Sequence, residues 1–183
     1  MPRMIVIGSS CAGKSTLSQK LSKELQCTYI QLDALNWLPN WVERDSADLL
    51  ALLEEAVTQN EHWVLDGNYT RTQPVSWPRA EVVVWLNYPF RIVIWRALKR
   101  AFRRSFKGEI LYSGNRETFR RTFLSRDSIL WWLVHTFHRR RRKYTALFAS
   151  GKYPHLHVIE LRHPREAVHV GARIQAIYQK RSQ

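Results

Sequence analysis

The sequence predicts an α/β domain: a five-stranded parallel sheet with helices on both faces. Three observations carry this. Short β-rich apolar runs alternate with longer stretches of helical periodicity along the chain. One run, "EVVVWL" at 81–86, is almost wholly apolar, as a strand covered on both faces must be. The first run leads into "GSSCAGKS", Gly8–Ser15, a glycine-spaced loop between a strand and a helix.

The elements follow in order. "MIVIG" is the first strand. Lys14–Leu25 is a helix, because Leu17, Leu21 and Leu25 recur at i, i+4 and i+8. "CTYIQLD" is a second strand ending on Asp33, and "NWLPNWVER" is a loop broken by Pro39. Asp45 is placed to cap a helix over Ser46–Asn60, whose apolar face is Leu49, Leu50, Leu53 and Val57. "HWVLDGN" is a third strand ending near Asp66, and "EVVVWLNYP" is the fourth. Pro89 suits the first turn of a helix running to about Arg104. Helical pieces near Arg116–Leu124 and Ser128–Ala149 come next, then the strand "LHVIELR" and a last helix begun by Pro164. At 183 residues, with no repeat or low-complexity linker, the chain reads as one domain, 1–183.

Charge is concentrated. The net charge is +14, and the stretch from Arg91 to Lys143 holds 13 arginines and 3 lysines against Glu109, Glu117 and Asp127. The rest of the chain is nearly neutral. This marks 105–143 as an arginine-rich, lid-like insertion that serves one anionic site or one docking surface. Two cysteines without a paired framework favour a reducing, cytoplasmic setting. Apolar runs such as "SILWWLV" fall well short of the ~20 residues a spanning helix needs, so no membrane span is expected. The seven histidines have no metal-ligand spacing, and no structural zinc is expected.

The loop has a chemistry of its own. G-x-x-x-x-G-K-S lets successive backbone N–H groups form a concave nest at a helix N-terminus, where the dipole favours an anion. The residues in question are Gly8, Ser9, Ser10, Cys11, Ala12, Gly13, Lys14, Ser15 and Thr16. Lys14 is expected to reach the β- and γ-phosphates of a nucleotide, and the Ser15 hydroxyl to ligate Mg²⁺. Cys11, inside the nest, is expected to be more reactive than Cys27 on its strand.

The loop, with "LDALNW" at 32–37, "WVLDGNY" at 63–69 and "WLNYPFRIVIWRALKR" at 85–100, resembles the adenylate-kinase-like P-loop NTPases. "GNRETF", "SRDSI" and "RRKY" are similar to variants in the FlaR-like group, which is associated with DNA topology modulation. The resemblance implies a nucleotide-kinase sheet of order 2-3-1-4-5 with a basic helical lid. It implies that Asp66 manages Mg²⁺ with Ser15, and that Asp33 orients or deprotonates an acceptor hydroxyl. It places Arg100, which shares a helix face with Arg96, at the adenine. It makes Arg126 and the run Arg139 to Arg142 lid arginines that close on the phosphates. Arg71 stands five residues after Asp66, where the adenylate-kinase pattern "DGFPR" puts arginine four after, which argues against a nucleoside monophosphate acceptor.

The expectation is therefore a phosphotransferase that uses ATP and Mg²⁺ on a nucleotide or small-molecule acceptor. The alternative is a nucleic-acid-binding protein regulated by its nucleotide, which the basic segment favours and the absence of a recognition-helix pattern opposes. A third reading lays the basic helix "FRIVIWRALKRAFRRSF" on anionic lipid.

Overall fold

In the computed structural model, residues 2–107 and 129–181 are described, excluding the side chains at 101, 103–107, 129–132 and 180–181. The expected helix at Arg116–Leu124, most of the lid-like insertion and Arg126 lie outside the described residues.

Five strands, β1 (Arg3–Gly8), β2 (Thr28–Gln31), β3 (Trp63–Asp66), β4 (Val82–Leu86) and β5 (His157–Leu161), form one sheet of order β2-β3-β1-β4-β5. Every pairing is parallel, with Val6 opposite both Asp66 and Val84. The order follows from the connections: consecutive strands are joined through helices, and the chain steps from β1 out to β2 at one edge, then turns back through β3 and past β1 to β4 and β5. The crevice this creates lies outside the carboxyl ends of β1, β3 and β4, where Gly8, Asp66 and Leu86 sit.

The helices are α1 (Lys14–Glu24), α2 (Leu32–Asn36), α3 (Ser46–Gln59), α4 (Gln73–Ser76), α5 (Phe90–Lys107), α6 (Ile129–Ala149) and α7 (Val170–Arg181). Short 3-10 segments at Pro39–Trp41, Thr70–Thr72 and Pro164–His169 connect them. Asp45 caps α3 as its position predicts, accepting from Ala47 N at 2.8 Å. Such a cap contributes about 1 kcal/mol.

Strand alternation splits the core in two. Met4 and Val6 of β1 face a cluster with Leu17 and Leu21 of α1, Val93 of α5 and Ile174 of α7. Ile5 and Ile7 face the other cluster, with Leu53 and Val57 of α3, Trp77 and Trp85. The sheet is thus covered on both faces, which is why its strands are apolar throughout.

Helix α6 belongs to both halves. Leu133 and Phe137 pack in the first cluster and Tyr144 in the second. Tyr144 stacks on Trp77 with ring centroids 6.3 Å apart. The helix therefore passes from one face of the sheet to the other across its carboxyl edge, and Arg140, between Phe137 and Tyr144, is carried over the crevice.

One sequence expectation needs correction. Strand β2 stops at Gln31, so Asp33 does not end a strand; it lies in the first turn of α2. The cause is packing. Leu32 is fully buried over Gly67, where φ is +142° and an added Cβ would come within 2.7 Å of the Leu32 Cβ. The chain must turn at Leu32 to cover the end of β3, and the turn becomes a helix.

Candidate active site

The glycine-spaced loop wraps the end of β1. Gly13, at φ +102°, stands before α1 without a side-chain cap, so no side chain accepts from the first amides of that helix. Cys11 is also left-handed, at φ 63°. Lys14 folds back over the loop and donates from Nζ to the Ser9 carbonyl at 3.2 Å. A lysine held this way spans the mouth of the nest and can exchange that carbonyl for a phosphate oxygen.

Asp66 is buried and lies in the field of the Lys14 charge. Tyr29 Oη donates to its Oδ2 at 3.0 Å, while Oδ1 is buried with no hydrogen-bond partner. Burial pushes the carboxyl above the ordinary aspartate range, and the charge of Lys14 and the Ser15 and Tyr29 hydroxyls pull it back down. Asp33 pushes it up again by charge repulsion, so the two carboxylates share one field. An orphaned carboxylate oxygen beside a serine hydroxyl is an all-oxygen donor pair, which suits Mg²⁺.

Asp33 takes a hydrogen bond from Tyr69 Oη at 2.7 Å. Burial and the Asp33 charge hold the Tyr69 phenol well above its ordinary pKa, so it stays a donor. Arg140 faces the same pair: burial lowers its pKa, while Tyr144, Tyr69 and Asp33 oppose that drop. Arg140 and Arg141 line a cleft with Gly8, Ser9, Asn87 and Tyr144, linking the loop to α6.

The expected site residues thus divide. Lys14, Ser15, Asp66 and Asp33 come together in one electrostatic cluster. Arg139 stands exposed on α6, and its neighbour Arg140 faces Asp33. Arg96 reaches the loop, donating to the Ala12 carbonyl at 2.6 Å with its guanidinium 5.4 Å from the Tyr88 ring centre. Arg100 stands half-buried one turn further along α5. The sequence does not single out Tyr29 or Tyr69, and it marks Arg140 only as one of the arginines in the run Arg139 to Arg142. Tyr69 is the last residue of "LDGNY", where it could have been read; nothing within "RRRR" ranks Arg140 above its neighbours.

Arg71 donates to Asn36 Oδ1 and to Ser46 Oγ at 3.0 Å, and pairs with Glu43 at 3.3 Å. It also lies 5.9 Å from the Tyr69 ring centre. Its charge is committed within the protein.

No family model matches the sequence. The uncharacterized protein YqaC of Bacillus subtilis is 32% identical over 125 residues, covering 68% of this chain and 70% of that protein. This chain belongs to the YqaC family. Its fold is similar to a shikimate kinase from Acinetobacter baumannii in complex with shikimate, at a TM-score of 0.59 and 14% identity, covering 99% of this chain and 94% of the other. A gluconokinase from Sinorhizobium meliloti 1021 matches at a TM-score of 0.55 and 17% identity over 100% and 98% of the two chains. The YqaC-family chain described here therefore has the nucleotide-kinase P-loop fold, with sheet order 2-3-1-4-5 and helices on both faces. Among the described residues, no helix is long and apolar enough to cross a membrane.

Proposed function

We propose that this protein is an ATP-dependent phosphotransferase acting on a small hydroxyl-bearing acceptor. The observation that carries the reading is Asp66: a buried carboxylate with one orphaned oxygen, set between the loop residues Lys14 and Ser15 and in the field of a second carboxylate, Asp33. A capping or turn aspartate would have both oxygens satisfied or solvated. The fold shared with a shikimate kinase and a gluconokinase supports it.

The loop amides and Lys14 bind and orient the triphosphate of ATP. Ser15 and Asp66 would hold Mg²⁺, which neutralises charge on the β- and γ-oxygens when bound. Asp33, its Oδ1 fixed by Tyr69, accepts the proton of the acceptor hydroxyl as that oxygen attacks the γ-phosphorus and the bond from the γ-phosphorus to the β–γ bridging oxygen breaks, releasing ADP. Arg140 offers positive charge to the transferring group, and Arg139 and Arg126 are proposed to join it from the arginine-rich segment. Arg100 is proposed to lie along the adenine. Because Arg71 is already neutralised by Glu43, the acceptor region favours a small hydroxy compound over a nucleoside monophosphate.

The test is an ATP-consumption screen over sugars, hydroxy acids, nucleosides and nucleotides, run with the wild type and Lys14→Ala. One acceptor class should raise turnover at least tenfold over the acceptor-free rate. Lys14→Ala should abolish the gain with a thermal midpoint close to wild type, since the partly exposed side chain leaves no buried hole. Turnover that no acceptor stimulates, or that survives Lys14→Ala, contradicts the reading.

A further inference from the structure

We propose that the outer face of α5 docks on an anionic lipid surface. Trp95 is 68% exposed, Leu98 42% and Phe102 62%. Their spacing, i, i+3 and i+7, sets them along one stripe of the helix. Helix α6, which packs against α5, exposes Val134 at 47%. A tryptophan and a phenylalanine on the outer side of one helix are more than scattered surface apolar residues.

The charge around the stripe selects its occupant. Arg91 and Lys99 flank it and are exposed. Helix α5 carries seven basic residues and no acid, and α6 carries five basic residues and no acid. A second copy of this chain on the same face would bring like charges together without counter-ions, which disfavours a dimer there. A nucleic acid would meet the charge but leaves Leu98 and Val134 with nothing to bury against. A bilayer with anionic headgroups satisfies both features. The headgroups take Arg91 and Lys99, and the Trp95–Leu98 stripe enters the boundary with the acyl chains. Arg96 leaves the other side of the helix toward Ala12, so docking leaves the loop unobstructed. The inference is independent of the reaction the protein performs.

Co-sedimentation with vesicles tests it. The wild-type protein should bind vesicles of phosphatidylcholine mixed with phosphatidylglycerol and remain in solution with phosphatidylcholine alone. Trp95→Ser/Leu98→Ser, which keeps every charge, should weaken binding to the mixed vesicles about tenfold, with an unchanged thermal midpoint. Arg91→Glu/Lys99→Glu should remove binding altogether, and the single variant Trp95→Ser, at an exposed position, replaces the apolar double variant if that one fails to fold. Failure to bind the mixed vesicles overturns the proposal. So does equal binding of the wild type and the apolar variant, because charge alone then accounts for it. Tighter binding to a duplex oligonucleotide than to the mixed vesicles, lost in both variants, assigns the face to nucleic acid instead.

Discussion

Asp66 is kept at a cost to the fold, and the sign of that cost can be measured. Its folded-state pKa lies above the ordinary aspartate value of 3.8. The unfolded chain therefore releases its proton first as pH rises, and the folded state loses stability from this group between that value and its own raised pKa. Asp66→Asn removes the buried charge and retains a side chain that Tyr29 can bond. The variant should gain about 0.5–2 kcal/mol of stability at neutral pH, the usual range for relieving a strained functional position. The gain should shrink in acid, where the wild-type carboxyl is protonated, and Mg²⁺-dependent turnover should be lost. Chemical denaturation across pH, paired with activity, checks both halves; a destabilised Asp66→Asn at neutral pH would contradict the burial argument. The two cysteines give a second probe at this scale. Cys27 is buried, and burial pushes its thiol up, while Cys11 is half-exposed in the loop. Cys11 should alkylate faster than Cys27, and Mg-ATP should slow it. Equal labelling of Cys11 with and without nucleotide, read by mass spectrometry, would move it out of the phosphate nest.

The turn between β2 and α2 fixes where Asp33 stands, and Gly67 sets that turn. Gly67→Ala adds a Cβ 2.7 Å from the Leu32 Cβ at a backbone angle L-residues avoid. The cost should be about 2–4 kcal/mol, summing strain and overpacking. Because Leu32 must shift, turnover should fall as well, even at temperatures where the variant remains folded. Full stability in a denaturant melt would show that the turn is more tolerant than its packing implies. Legibility from sequence varied element by element for related reasons. The five strands and the Asp45 cap were readable because apolar runs and capping positions are local signals. Helix α2 was not, since five residues are too few for periodicity and its cause, Leu32 against Gly67, spans 35 positions of sequence. The loop residues could be assigned from spacing alone. Arg140 could not: its place depends on α6 crossing the carboxyl edge of the sheet, and only the packing of Leu133, Phe137 and Tyr144 in two different clusters reveals that.

At the scale of the whole molecule, the sheet order brings three separate stretches of chain to one crevice: the loop after β1, Asp33 on α2 and Asp66 at the end of β3, with Arg140 brought over them by α6. The nearly neutral body and the basic α5 and α6 then divide the work between holding carboxylates and meeting anions. Positioning with electrostatic stabilisation is most of what phosphoryl transfer requires of a protein. The central claim is that Asp33 makes this crevice a transferase rather than a hydrolase. The fate of the γ-phosphate is its most direct test. ATP labelled in that phosphate is incubated with a pool of small hydroxy compounds and either the wild type or Asp33→Asn. The wild type should move label into an organic phosphate. Asp33→Asn should bind ATP as tightly and transfer about 10²–10⁴-fold more slowly, the loss expected of a general base. Label released only as inorganic phosphate, at the same rate by both proteins, would contradict the account.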